Sequence, residues 1–428
     1  MSTKYYDIKF GTAADWAAEG EKKYSPGFQT EAKYIDSWKS VLQKAHAVKE
    51  DAINRKVIQC RCNGSSTKRD HCLLEVRELD GTYFLAKKKH TGPQHKDDCR
   101  FFQIERESSG LRAYDEGIVA NDGSIKVGLG LQMSDKEGHI KAPAPSTLPP
   151  RRHNGAKRRE VSLLGLLQIL WSAAGLNYCK SESINQRDNI AFRLFKQAEA
   201  IKIKQQNLEK HLLMYDMAKA NRETLAFATK NKRRLFVIAP LKPWVSVAES
   251  ESGVLPIQLS DGIPELNLID GIWDSTAERS YKRVVLAWRK GQRVMAIAQI
   301  EPREDAKAHS GYACQVVGLA LMRTTSYWLP VESDYEQTIA DELVKVGRRF
   351  IKPLRYDADE TDVFPDFILL DTADSRGTPM EVFGMTSTEY RERQAEKAAY
   401  YNEAFGLDGW WCWVTSERRE YPPFPPAV

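Results

Sequence analysis

The stretch that decides the architecture of the C-terminal region is 364–385, FPDFILLDTADSRGTPMEVFGM. FPDFILLDT reads as a strand, and Pro365 can open it because a missing N–H is tolerated at a strand's first residue. Alternation puts Asp366, Ile368 and Leu370 on one face and Phe367, Leu369 and Asp371 on the other. The turn ADSRGT leads into PMEVFGM, where Glu381 alternates with Val382. A short loop joins the two strands, so they are expected to pair as a hairpin.

Working outward, 334–350 (DYEQTIADELVKVGRRF) is an amphipathic helix with Ile339, Leu343, Val346 and Phe350 along one face. Glu336 lies on that face, three residues before Ile339, and can point a carboxylate inward at its open end. A basic turn, KPLRYDADETDV, separates this helix from the hairpin. After the hairpin, STEYRERQAEKAAYYNEAFG is a helix capped by Ser387 or Thr386 and stopped by Gly406, and WWCWV is a closing strand. Trp411 and Trp413 share a face, which suits core packing better than base stacking. The tail YPPFPPAV reads as an extended surface segment. The expected order is helix, short strand, strand, strand, helix, strand. A carboxylate on each of two adjacent strands is what a divalent cation such as Mg²⁺ or Mn²⁺ needs, since it takes hard oxygen ligands. There it would neutralise a phosphodiester and activate a water.

The motif Pro365-Asp366 … Glu381-Val382-Phe383, with this element order, resembles the PD-(D/E)XK nuclease superfamily and its αβββαβ core. The resemblance implies a catalytic set of Glu336, Asp366 and Glu381, with Asp366 and Glu381 binding the magnesium. The family's lysine, two residues after the second acid, is replaced here by Phe383. Some members carry that lysine on the following helix. Arg393 and Lys397 are four apart on one helical face; Lys397 is taken as the catalytic lysine and Arg393 as a nucleic-acid contact.

Nearer the N-terminus, short β-type runs such as VIQCRC and TYFLAKKK are separated by turns, after a helix expected near 31–51 with Ile35, Trp38, Leu42 and His46 as its stripe. Cys60 and Cys62 form a Cys-x-Cys pair, and His95 and Cys99 a His-x3-Cys pair. Four nitrogen or sulfur ligands from two separate segments suit a structural zinc that staples a small β module. The arrangement resembles the zinc modules of SWIM type, though their second pair runs in the reverse order. His71, Cys72 and His90 are nearby spares. No acidic base stands beside the pairs, so a catalytic zinc is not expected. The seven cysteines are an odd number and argue against a disulfide framework; Cys179, Cys314 and Cys412 sit in apolar company and are expected to be buried.

Between these ends, 141–159 (KAPAPSTLPPRRHNGAKRR) is a Pro-rich linker whose cluster Arg151, Arg152, Lys157, Arg158 and Arg159 is either a solvated tether or a phosphate contact. Ser162 can cap the helix LLGLLQILWSAAG, ended by Gly175. Further helices are expected near 189–202 and 206–219, a block with a helix-turn-helix flavour. RLFVIAP, KRVVLAW, RVMAIAQI, CQVVGLALM and SYWLPV read as strands. The expected organisation is multidomain α+β: an N-terminal module with the zinc site (1–140), a basic linker (141–160), a helical block (161–233), a β-rich module (234–330) and a restriction-endonuclease-like αβββαβ domain (331–428).

With 42% hydrophobic and 28% charged residues the chain can bury a core, and disorder is not the default. A net charge of +5 permits nucleic acid as a partner without requiring it. The opening MSTKYYDIKF is not a leader, and no run reaches the roughly 20 apolar residues of a membrane helix, so a cytoplasmic location with no membrane partner is expected. The Cys-x-Cys pair, LLGLLQILWSAAGLN and RRFIKPLRYD together resemble a bacterial domain-of-unknown-function family, number 1173, carried with conjugative or integrative elements. That resemblance implies a mobile-element setting, with proteins of such an element as partners, and no activity. The leading expectation is a metal-dependent protein that hydrolyses phosphodiesters in nucleic acid, DNA first. The alternatives are a non-catalytic nucleic-acid-binding or scaffold protein with a degenerate nuclease fold, and a regulator that binds protein partners through the helical block.

Overall fold

A computed structural model describes residues 4–12, 22–48, 56–62, 72–79, 82–88, 91, 95–96, 99–101, 124–125, 131, 133, 161–179, 189–203, 206–245, 253–258, 262–308, 310–354, 364–374, 376–385 and 387–428. The chain forms two compact units, Met1–Ser108 and Ser109–Val428. The architecture is mixed α+β. The basic linker cluster, including Arg151, Arg152, Lys157, Arg158 and Arg159, lies outside the described residues, as do His71 and His90.

In the first unit, β1 (Ile8–Gly11), β2 (Lys22–Tyr24), β3 (Val57–Cys60), β4 (Leu73–Leu79) and β5 (Thr82–Lys87) form one antiparallel sheet in the order β2-β1-β3-β4-β5. A short helix α1 (Pro26–Thr30), capped by Ser25, precedes α2 (Ile35–Ala47). Trp38, Leu42 and Ala45 of α2 are buried in the same core as Ile8, Phe10 and Leu74 of the sheet. Ile35, read as part of the stripe, is exposed instead. This core is small, and thiols of Cys60, Cys62, Cys72 and Cys99 belong to it.

The second unit is built on two larger sheets. Its first helices are α3 (Leu163–Ala173), capped by Ser162 with Gly175 at φ +65 just beyond its end, and α4 (Ile190–Ala200). Between them lies β7 (Tyr178–Cys179). Two-residue strands β6 (Ser124–Ile125), β8 (Lys202–Ile203) and β9 (Gln206–Asn207) make a small sheet. The third helix expected at 206–219 is not formed. That segment holds β9, a 3-10 turn and β10 (Leu212–Met214), and the helix α5 starts later, at Ala218–Lys230.

The central sheet has the order β10-β11-β13-β14-β12, with β11 (Leu235–Pro240), β12 (Leu266–Leu268), β13 (Arg293–Glu304) and β14 (Tyr312–Thr324). All six residues of β11 are buried, as expected of a strand covered on both faces. Phe236 and Ile238 join one core with Leu166, Leu170 and Leu194 from α3 and α4. Leu235, Val237 and Ala239 join another with Leu225 of α5 and with Val285 and Trp288 of α6 (Lys282–Arg289). Residues 161–233 and 234–330 thus share their cores in a helix–sheet–helix sandwich. Two expected strands are absent: KRVVLAW is α6, and SYWLPV is a turn with a single bridge at Pro330.

The last sheet follows α7 (Asp334–Lys345) and has the order β18-β17-β16-β15-β7, with β15 (Phe350–Ile351), β16 (Phe367–Leu369), β17 (Thr378–Phe383) and β18 (Trp411–Val414). β15, β16 and β17 are antiparallel neighbours, and β18 joins β17 in parallel after the helix α8 (Thr388–Phe405), capped by Ser387 and closed at Gly406. The order α7-β15-β16-β17-α8-β18 is the expected αβββαβ. Strand β7 completes the sheet from far upstream, pairing Tyr178 with Ile351 and Cys179 with Phe350. Phe367, Leu369, Met380, Val382, Trp411 and Trp413 bury their face with Ile339 and Leu343 of α7. Gly377 makes the hairpin turn at φ +83, where an added Cβ would run into Ile368 and the Leu369 carbonyl.

The tail is the expected extended surface segment, and it is pinned to the domain. The Trp411 indole N–H donates to the Pro422 and Pro423 carbonyls, Arg348 Nη1 donates to the Pro425 carbonyl at 2.6 Å, and the Val428 N–H donates to the Asp371 carbonyl at 2.8 Å. Tyr421 and Phe424 stack at 5.3 Å, over Trp413 and Trp411 respectively. Cys179 and Cys314 are buried and Cys412 is half-buried. No helix among the described residues is long and apolar enough to cross a membrane.

Candidate functional site

In the first unit the Cys-x-Cys turn at the end of β3 meets the His-x3-Cys segment. Cys60, Cys62, His95 and Cys99 are all buried, and their ligand atoms lie within 4.8 Å of one another. Cys60 Sγ is 3.6 Å from Cys99 Sγ, and His95 Nδ1 is 3.5 Å from Cys62 Sγ and 3.7 Å from Cys99 Sγ. A tetrahedral zinc with bonds of about 2.3 Å to sulfur and about 2.0 Å to nitrogen has edges of about 3.8 Å (S–S) and about 3.5 Å (S–N). The donor set and its spacing therefore fit such an ion. The Lys96 N–H donates to Cys62 Sγ at 3.2 Å, a contact that suits a thiolate. Without a cation the cluster resists multiple negative charge: hydrogen bonding with Cys62 and Cys99, and burial, push the Cys60 thiol far above the ordinary range. Cys72 stays outside the four, hydrogen-bonded to Cys62.

In the second unit Asp366 and Glu381 are brought together by strand register. Phe367 pairs with Met380, and the Asp366 N–H donates to the Met380 carbonyl at 3.0 Å. Extending that register one step sets Asp366 opposite Glu381, on the face away from Phe367, Met380 and Val382. Asp366 Oδ2 accepts the Val382 N–H at 2.8 Å. Glu381 is 1% exposed; Lys397 Nζ donates to its Oε1 and Oε2 at 2.9 and 3.0 Å, and the Tyr401 hydroxyl donates to Oε1 at 2.8 Å. Burial, then the Asp366 charge, raises the Glu381 carboxyl to about 8 against the pull of Lys397 and Tyr401. Burial also lifts Tyr390 to about 12.

Glu336 enters from the first turn of α7, where Ser333 Oγ accepts its N–H at 3.1 Å and its own Oε2 accepts the Glu332 N–H at 3.1 Å. Ser-x-x-Glu is a capping signature, so this carboxylate has a local structural task as well. It also faces Lys352, whose Nζ is 3.0 Å from Glu336 Oε2 and 3.9 Å from Asp366 Oδ1. Burial would lower Lys352, but the Glu336 and Asp366 carboxylates hold it above the ordinary lysine value.

Glu336, Asp366, Glu381 and Lys397 line one open cleft of about 610 Å³. Arg393 and Phe383 line it too. Arg283, Lys290 and Arg323 line it as well, the last two paired with Asp334 at 3.6 and 2.7 Å. The sequence reading missed three members. Lys352 was taken for part of a turn, although it lies two residues after Phe350, at an inward position of a strand's continuation. Tyr390 and Tyr401 fall on the helical stripe of Arg393 and Lys397, at three-to-four spacing.

A model of a family of proteins of unknown function, DUF1173, matches residues 29–416. No curated protein and no solved structure matches the chain.

Proposed function

The chain belongs to the DUF1173 family, whose description names no chemistry, and from the cleft itself we propose a divalent-metal-dependent phosphodiesterase of the PD-(D/E)XK kind acting on nucleic acid, DNA first. The observation that carries this reading is the cross-strand placement of Asp366 and Glu381 on one face of an αβββαβ sheet, in one open cleft. Two oxygen donors side by side on adjacent strands fit Mg²⁺ or Mn²⁺, whose charge would offset the mutual repulsion that favours the Glu381 proton. Such a cation supplies charge neutralisation at the phosphate and a more acidic water. Asp366 is oriented by the Val382 N–H, and Glu381 by Lys397 and Tyr401. Lys397 stands where the missing strand lysine would be replaced, as a cation that can orient water and stabilise developing oxyanion charge. Arg393 and Arg283, which line the cleft, hold the phosphates. A structural zinc on Cys60, Cys62, His95 and Cys99 holds the N-terminal unit together.

A second reading, a binding-only relative, is favoured by the occupation of the acids. Both Glu381 oxygens are already paired, and Glu336 is engaged by Lys352 and the cap. Incubation of the purified chain with plasmid and single-stranded DNA in Mg²⁺ or Mn²⁺, beside Asp366→Asn, Glu381→Gln and Lys397→Ala, separates the two. The nuclease reading expects cleavage that each variant reduces by at least about 100-fold, the scale on which removing one electrostatic stabiliser acts. DNA binding with no cleavage by the wild type establishes the binding-only reading instead.

A further inference from the structure

The second unit holds another cavity, of about 760 Å³, within the size range of small-molecule sites. It opens where the parallel pair β10 and β11 ends: Tyr215 follows β10, and the segment Pro240–Trp244 finishes and follows β11. The start of β13, at Arg293, and the end of β14, at Thr324, complete its wall. Crevices beyond the carboxyl ends of parallel strands are the places where such sheets accept ligands.

Two pairs of aromatic rings line this cavity. Tyr215 and Trp328 lie nearly parallel, at 14° and 6.5 Å, and Trp244 meets Trp288 edge-on at 4.8 Å. The Arg293 guanidinium sits 4.1 Å from the Trp328 ring centre while donating to the Ser326 carbonyl at 2.9 Å. Trp328 adopts φ +64, a left-handed backbone that costs a bulky residue about 1–3 kcal/mol. It is held there because its carbonyl accepts the buried Trp171 indole N–H at 2.9 Å and its own N–H donates to the Thr325 carbonyl at 3.0 Å.

Rings to stack on, with Lys242 and Arg293 beside them, match a flat heterocycle carrying phosphate. We propose that this cavity receives one unstacked nucleobase of a single-stranded nucleic acid, its ring laid on the aromatic walls and its phosphates met by Lys242 and Arg293. The first turn of α7 is a wall common to both cavities: Gln337 lines this one, while Glu336 lines the acidic cleft. A strand anchored by its base here has its next phosphates directed along that turn.

This inference concerns binding and does not rest on the acidic cleft being a nuclease. Fluorescence anisotropy of a labelled 15-nucleotide single strand, beside the duplex of the same sequence, tests it on the full chain in EDTA. Trp244→Ala is expected to weaken single-strand binding by about tenfold or more, in line with the loss of one base stack. No single-strand binding by the wild type overturns the proposal, as does equal affinity in Trp244→Ala, or quenching of tryptophan fluorescence by a neutral oligosaccharide but not by a mononucleotide. Cleavage that survives with Trp244→Ala affinity unchanged removes this pocket and leaves the nuclease; single-strand binding without any cleavage does the reverse.

Discussion

Glu381 is a carboxyl whose surroundings favour its proton. It is buried, Asp366 stands opposite, and Lys397 and Tyr401 answer its charge. Its ordinary value is 4.5 and its folded value about 8, so across that window the native state keeps a proton that the unfolded chain has released. Stability therefore falls as pH rises between those two values. Glu381→Gln, which keeps size and removes the titration, is expected to flatten this part of a plot of Tm against pH. Parallel curves for the two proteins would show that the residue titrates in its ordinary range. At this scale the sequence was informative where a side chain's direction follows from strand alternation, as for Asp366 and Glu381. It was silent on Lys352, because the inward turn of a lysine just beyond a two-residue strand depends on Glu336 arriving from another element.

At the scale of elements, the hairpin around Gly377 and the capped helices at Ser162, Ser333 and Ser387 were readable because their signals are local. KRVVLAW was not, since a short apolar run with two adjacent valines satisfies strand and helix patterns alike; Val285 and Trp288, one turn apart, decide for the helix by reaching the central core. The segment 206–219 failed for the opposite reason, because pairing of Leu212–Met214 with Phe236–Ile238 overrides local helix preference. The Cys-x-Cys and His-x3-Cys pairs were legible by ligand chemistry alone, and they tie the end of β3 to a segment beyond β5 in a unit with a thin core. Elemental analysis is accordingly expected to find about one zinc per chain, the stoichiometry of a single four-ligand site. Cys62→Ala is expected to lose that zinc and to make residues 1–108 susceptible to protease while the second unit stays resistant. Full zinc content in the variant would take Cys62 out of the site.

At the scale of the molecule, the division expected at residue 330 does not follow the sheets. Strand β7 lies upstream of the central sheet in sequence, yet it is the edge partner of β15 in the C-terminal one. Asn177 is bonded in both directions to the backbone of Lys352, its side-chain N–H to that carbonyl at 3.0 Å and its carbonyl from that N–H at 2.8 Å. No local pattern announces a two-residue strand with so distant a partner. An excised 331–428 fragment therefore exposes the edge of β15 and the Cys179 side of its core, and is expected to aggregate or to show a broad, uncooperative melt. A 161–428 fragment is expected to melt cooperatively. A sharp transition from the short fragment alone would show that β7 is dispensable.

The pairing of Tyr178 with Ile351 also fixes a sequence of events in time. Contacts between positions so far apart are late ones, because the entropy of closing so large a loop comes due before they return any gain. Lys352, next along from that rung, is 3.0 Å from Glu336 and 3.9 Å from Asp366. During synthesis, then, the sandwich around the central sheet can settle first, and the acidic cleft is among the last parts of the nascent chain to acquire its geometry. A protein built in this order keeps its clustered acids apart while it is still half made.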